Sequence, residues 1–150
     1  MKALAVGLVI LSLACSAFAG QEDENVIQLV NQASDAFKTK GKDQALKLIA
    51  ASSGPLRKGS IYVFAVDFKG RFVAHPVQED LRGQDAWELQ DAKGKFITQD
   101  FIKIAKEKGE GWSEYWWLRV NETTPTLKKT YIKRVPGEDL LVGAGYYIVK

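Results

Sequence analysis

Apolar residues in the N-terminal part of the chain recur at helical spacing. Across residues 23–51 they return every three or four positions, which is the period of a helix that buries one face. The positions that mark this face are Val26, Leu29, Val30, Ala33 and Phe37. Gly41, inside "KTKGKD", is expected to break this helix, and "SSGP" at 52–55 is expected to end it. The pattern predicts a long N-terminal helix with a break at Gly41.

The pattern then changes to short apolar runs separated by turns. "SIYVFAVDFKGRFVAHP" predicts a hairpin with strands near 60–67 and 71–75, because Asp67 and Gly70 suit the first and fourth positions of a type I turn. "TQDFIKIAKEKGEG" predicts a short helix over about 97–108, since two glycines follow its apolar face. Three further strands are predicted at 112–120, 126–135 and 140–149. This order indicates an α+β fold, with one antiparallel sheet and a short helix before the third strand.

The first nineteen residues have the layout of a secretory leader. "MKALAVGLVILSLACSAFA" begins with a lysine, continues with a short apolar run and ends in Ala-Phe-Ala, a typical cleavage site. We therefore expect a signal peptide at 1–19 and a single periplasmic domain at 20–150. The alternative is a lipoprotein cut before Cys15, although Ser12 stands where such signals usually have leucine.

Composition narrows the classes of function. The chain has 21 Lys and Arg against 18 Asp and Glu, a net charge of +3 that falls by one if Lys2 is removed. A net positive charge this small argues against a nucleic-acid binder. Cys15 is the single cysteine, so a cleaved chain has no thiolate and no cysteine metal site. No nucleophile, zinc or haem motif accompanies the single histidine, so we expect no enzyme, no metal and no cofactor.

Short motifs follow one another in a fixed order between residues 24 and 149. They are "DFKG" at 67–70, "HP" at 75–76, "LRG" at 81–83, "DAKGKF" at 91–96, "GEG" at 109–111, "YWW" at 115–117, "KKTY" at 128–131 and "GAGYY" at 143–147. The ordered set resembles that of a single Cache domain, a PAS-like extracytoplasmic module that senses small ligands. The resemblance covers nearly all of the expected mature chain.

This resemblance implies a five-stranded antiparallel sheet, a long N-terminal helix and a pocket closed by the loop after the second strand. Members of the family commonly bind small organic acids and form the sensor part of chemoreceptors or histidine kinases. The printed sequence ends at Lys150, directly after the last predicted strand. We therefore expect a free-standing secreted form that binds a two- to four-carbon carboxylate. It would signal through a partner, either a second copy of itself or a membrane sensor.

Five residues are candidates for the ligand site. A carboxylate taken out of water needs compensating donors, which Lys128 can supply as a charge, Tyr115 and Tyr131 as hydroxyls, and His75 as a ring N–H. Trp117 could wall the apolar end. In a regular strand, however, residues 128 and 131 point to opposite faces, and only a bulge or twist brings both into one pocket.

Structural roles stay open as alternatives. Tyr115, Trp117 and Tyr131 could be core residues, and His75 could instead pin the end of its strand by a backbone hydrogen bond. Tyr62 lies on the Tyr62-Phe64-Val66 face of the first strand, from which it could reach the pocket, although a core position is favoured. For the whole chain, the alternative is a ligand-free interaction or dimerisation protein that uses an exposed apolar face of the N-terminal helix.

Overall fold

The computed structural model describes the backbone of residues 10–149 and the side chains of residues 20–149. Within that range the chain forms helices and strands in the predicted order. The helices are α1 (Ile10–Lys40), α2 (Lys42–Ala50) and α3 (Ile97–Glu107), with a 3₁₀ turn at Glu79–Leu81. The strands are β1 (Arg57–Lys58), β2 (Ile61–Asp67), β3 (Phe72–Ala74), β4 (Glu110–Trp117), β5 (Thr126–Arg134) and β6 (Leu140–Tyr147).

The N-terminal helix breaks at the predicted position but begins earlier than predicted. Gly41 separates α1 from α2 with a φ of +80°, a value that favours glycine. The helical backbone of α1 starts at Ile10, not near residue 23. The expected leader at 1–19 falls partly on residues 1–9, which lie outside the described residues. No helix within the described range combines the length and the apolar content needed to cross a membrane.

The strands form one antiparallel sheet in the order β1-β2-β6-β5-β4, and β3 pairs with β2 on the same side as β1. The five longer strands are those predicted, and the two-residue β1 is an addition that no periodicity indicated. β6 lies at the centre, between β2 and β5. The α+β class and the antiparallel sheet with its long N-terminal helix are confirmed.

Helices cover both faces of the sheet. On the α1 face, α1 and α2 pack against residues such as Val63 and Val142. On the α3 face, α3 and the loop 75–96 pack against Phe64 and Ile132, among others. The two clusters alternate along β2, as the two-residue period of a strand requires.

The apolar stripe of α1 lies inside this domain. Val26, Leu29, Val30, Ala33 and Phe37 are each at most 8% exposed, because they pack on the sheet. The alternative of a ligand-free interaction protein predicted that this stripe would be exposed. That expectation is wrong, because the stripe belongs to the core of the same chain.

Two glycines on β6 make room on the α3 face. A Cβ atom at Gly143 would lie 2.7 Å from the Phe64 ring and 2.8 Å from Ile132 Cδ1. One at Gly145 would collide with Thr130 Oγ1 and with the Lys129 carbonyl. The central strand therefore carries no side chain at these positions, and the Phe64 ring from β2 lies directly against its backbone at Gly143.

Aspartates in the two D-x-x-G turns hold the local backbone. Asp67 Oδ1 accepts the Lys69 and Arg71 backbone N–H groups, both at 2.9 Å. Asp91 does the same in its own turn, and its Oδ2 also accepts the Trp116 N–H at 3.0 Å. Because β4 is an edge strand, this last bond protects an otherwise unpaired donor and fixes the loop over the α3 face.

Candidate functional site

A small cavity lies on the α3 face, between the sheet and the loop 75–96. Its volume is ≈ 20 Å³, on a scale where one water needs roughly 10–15 Å³. Every long strand except β6 contributes to its wall, together with α3 and the loop. The lining residues are Tyr62, Phe64, Phe72, His75, Gln78, Leu81, Leu89, Ile97, Phe101, Tyr115, Trp117 and Lys128.

Lys128 supplies the only buried ammonium group in the described part of the chain. The residue is 3% exposed, and its Nζ donates to the Tyr62 hydroxyl at 3.3 Å. The ammonium also lies over the rings of Tyr62, at 4.7 Å, and Tyr147, at 5.2 Å. No carboxylate of the described residues comes within 4.0 Å of it. Burial therefore lowers the pKa of Lys128 below its ordinary value.

Tyr62 is a core residue, as expected, and it also lines the cavity. Its side chain is 8% exposed, lines the cavity and meets Lys128 through both its hydroxyl and its ring. Burial raises the pKa of Tyr62 to about 12, so the hydroxyl is neutral and keeps its proton. Tyr62 shares one face of β2 with Phe64 and Val66, as the alternation of a strand requires, and this face meets the cavity.

His75 both pins the strand end and lines the cavity, so the two roles considered for it coexist. Its Nδ1 accepts the backbone N–H of Val77 at 3.3 Å and that of Gln78 at 2.9 Å. An accepting Nδ1 places the proton of the neutral ring on Nε2. Burial, with the nearby charges of Lys128 and Arg82, lowers the pKa of His75 to about 3. The ring is therefore neutral around pH 7, with an N–H donor on Nε2.

Tyr115 and Trp117 reach the cavity from β4, at the spacing that puts both on one face of the strand. The Tyr115 hydroxyl is already hydrogen-bonded to Thr130 Oγ1 at 3.0 Å, and burial raises the pKa of Tyr115. Trp117 packs edge-on against Tyr115, with ring centroids 6.3 Å apart. The main contribution of these two residues is therefore to the shape of the cavity wall, and not to its free hydrogen-bond donors.

Tyr131 lies on the opposite side of the sheet and does not line the cavity. β5 is regular from Thr126 to Arg134, so Lys128 faces α3 while Tyr131 packs against Trp112 on the α1 face, with ring centroids 5.0 Å apart. The expectation that Lys128 and Tyr131 share one site needed a bulge that β5 does not have. The assignment of Tyr131 to the ligand site is therefore wrong, because the alternation of a regular strand places Tyr131 on the face opposite Lys128.

The site as a whole has hydrogen-bond donors for which the described residues supply no anionic acceptor. Lys128 uses one of its three N–H donors within the described residues, and His75 Nε2–H has no acceptor there. Aromatic rings form much of the wall around the ammonium, and this apolar surrounding strengthens its attraction for a negative group. No cluster of three or more metal-ligating side chains occurs among the residues described. The arrangement can hold a small anion.

A sheet with helices on both faces and a small cavity under a loop defines the class of PAS-like sensor modules. Within that class, the chain belongs to the Cache domain family, whose model matches residues 21–150. A curated relative is the methyl-accepting chemotaxis protein McpP of Pseudomonas putida, 23% identical over 87 residues. That match covers 58% of this chain and 16% of the receptor, so the chain corresponds to a small part of that protein.

Three solved structures share the fold. A periplasmic sensor domain of a chemotaxis protein is 23% identical, with a TM-score of 0.70 and coverage of 93% of this chain and 99% of that one. A Cache chemosensory domain, solved for its recognition of carboxylic acids, is 22% identical, with a TM-score of 0.74 and coverage of 89% and 98%. A methyl-accepting chemotaxis protein from Vibrio parahaemolyticus is 18% identical, with a TM-score of 0.75 and coverage of 93% and 97%.

Family membership settles the broad class of function. Cache domains are extracytoplasmic sensor domains that bind small ligands and catalyse no reaction. The expectation that this chain is not an enzyme is therefore confirmed by its family.

Proposed function

We propose that this Cache domain is a periplasmic sensing module for a small organic acid of two to four carbons. The observation that carries the proposal is the Lys128 ammonium, which is buried without a carboxylate partner among the described residues. An unpaired buried charge costs several kcal/mol, and an anionic guest offsets that cost. The carboxylic acid recognition of a Cache domain with the same fold adds support.

Each cavity residue has a role in this proposal. Lys128 binds the carboxylate, and His75 Nε2–H and the Tyr62 hydroxyl add neutral donors. Tyr115 and Trp117 surround the carbon chain of the acid. Entry of even a two-carbon acid requires this cavity of ≈ 20 Å³ to widen, and part of its wall, such as Leu89, lies outside the helices and strands.

A melting experiment tests this function. Acetate, propionate, pyruvate, lactate and succinate are added in turn to the purified protein, and unfolding is followed by fluorescence. At a hundred times the dissociation constant, a bound acid stabilises the fold by about 2.7 kcal/mol, which raises the melting temperature by roughly 10 °C for a domain of this size. Propionamide and sodium chloride at equal concentration serve as controls. If no acid raises the melting temperature above these controls, the proposal is wrong.

We also propose that the chain is exported and that residues 1–19 are removed. The basic start, apolar run and Ala-Phe-Ala ending support cleavage before Gly20. The expected result is an intact mass, for protein expressed in a bacterium and recovered from the periplasm, that corresponds to a chain beginning at Gly20. A chain that begins at Cys15 and carries lipid would establish the lipoprotein alternative, and an uncleaved mass would contradict export by a cleavable leader. The released domain would signal through a partner, either a second copy or a membrane sensor.

A further inference from the structure

Gln78 carries a polar atom for which the described residues supply no partner. Its Oε1 is buried and makes no hydrogen bond, and the residue lines the cavity. Buried acceptors are nearly always paired in folded proteins, because an unpaired one keeps the cost of its lost hydration. This acceptor therefore marks a position where a donor is needed.

The backbone holds Gln78 beside His75. The Gln78 N–H donates to His75 Nδ1 at 2.9 Å, and the Gln78 carbonyl accepts the Leu81 N–H at 3.2 Å. The same short turn, residues 75–78, thus brings to the cavity a ring N–H donor from His75 and an amide oxygen from Gln78. The cavity wall therefore combines a cation, neutral hydrogen-bond donors and one acceptor, Gln78 Oε1, that lacks a donor.

The small volume of the cavity limits which group can donate a hydrogen bond to Gln78 Oε1. A cavity of ≈ 20 Å³ has room for about one water. A water there can donate to Gln78, but an acid that enters takes the water's place. Displacing a water by a group that cannot reproduce its hydrogen bonds loses affinity. An acid that carries its own hydroxyl donor beside its carboxylate can restore the hydrogen bond that the displaced water would have made.

We propose that the cavity selects 2-hydroxy acids over unsubstituted and 2-keto acids, with Gln78 Oε1 accepting the hydroxyl proton of the ligand. The inference rests on the proposed function, since it assumes that the carboxylate binds at Lys128. It adds the class of acid and a specificity-determining residue. An amide turned the other way would present its NH₂ group and favour a 2-keto acid, so the two orientations predict opposite preferences.

Three acids with the same carbon skeleton test the proposal by titration calorimetry: lactate, propionate and pyruvate, with both enantiomers of lactate. The wild-type protein is expected to bind one lactate enantiomer about tenfold more tightly than propionate or pyruvate. In Gln78→Leu the ratio of lactate to propionate affinity should fall to about one. Gln84→Leu, an exposed glutamine of the same loop, should keep the wild-type ratio. If Leu at position 78 disturbs folding, Gln78→Met supplies the same comparison.

The outcomes separate this inference from the function on which it rests. If none of the three acids binds, and acetate and succinate do not bind either, the proposed function and this inference both fail. If acetate or succinate binds and none of the three does, the function stands and the inference is overturned. If all three bind the wild type equally, or pyruvate binds best, the function stands and the inference is overturned. It is also overturned if Gln78→Leu keeps the preference for lactate, because the hydroxyl then has another acceptor.

Discussion

Lys128→Met is expected to abolish the response to organic acids and to leave the protein at least as stable as the wild type. The methionine fills a similar volume with no charge, so the carboxylate loses its cationic partner. Truncating one member of a buried charged pair costs about 2–5 kcal/mol, which means a loss of affinity of about 30-fold or more. Removing an unpaired buried ammonium also relieves its desolvation cost, which offsets the lost contacts with the Tyr62 and Tyr147 rings.

The stability of this variant should also differ from the wild type in its dependence on pH. The unfolded chain keeps a lysine proton up to about pH 10.5, whereas the folded protein releases the Lys128 proton at lower pH because burial lowers its pKa. In that interval the unfolded state binds more protons, so raising the pH favours the folded wild type. The gain of Lys128→Met over the wild type should therefore shrink as pH rises toward 10. Urea unfolding of both proteins at several pH values measures this difference in stability.

Lys129→Met is the matched control for this experiment. Lys129 is the next residue of β5, faces α1 and pairs with Asp23 at 2.7 Å. Its replacement removes a positive charge of the same kind from the opposite face, so acid binding should stay as in the wild type while stability falls by up to about 1 kcal/mol. Binding that survives in Lys128→Met, or that is lost in both variants, would contradict a site centred on Lys128.

Simple periodicity predicted the fold and part of the site. The apolar stripe of α1, the break at Gly41 and the D-x-x-G turns each depend on a few neighbouring residues, so local rules were sufficient for them. Gly143 and Gly145 also follow a local rule, because glycine inside a strand is typical of a close approach of other atoms, which the structure shows here. Lys128 was chosen from the motif that resembles the Cache family and from the need of a carboxylate for a cation, because periodicity alone does not distinguish it from Lys129 on the same strand.

Residues whose role depends on distant contacts were harder to predict. Tyr131 was included because of the family resemblance, although the alternation of β5 already argued against it, and the alternation was right. Tyr62 lies on a strand buried on both faces, where no polar position marks the side of the cavity. Gln78 belongs to a loop without periodicity, and its burial arises only when that loop lies over the sheet.

The folded protein is expected to lose stability steeply as pH falls below 6.5, because its single histidine is buried in the neutral form. The pKa of His75 is about 3 in the folded state and about 6.5 in the unfolded chain. Between these values the unfolded state binds the extra proton, so acidification favours unfolding. The loss is roughly 1.4 kcal/mol per pH unit, or about 3 kcal/mol at pH 4.5. Urea unfolding between pH 7 and pH 4 measures this slope.

His75→Asn isolates the contribution of the ring from that of the carboxylates. The asparagine oxygen can accept the N–H groups of Val77 and Gln78 in place of Nδ1, so the turn is kept while the titrating group is removed. The variant should be less stable than the wild type at pH 7, since the ring packs against Tyr62 and Phe72, and the gap should close as pH falls toward 4.5. Because the sequence has one histidine, its NMR ring signal reports the folded pKa directly. A titration midpoint near 6.5 would mean that water reaches the ring. It would contradict the role of His75 as a buried, neutral donor in the cavity wall.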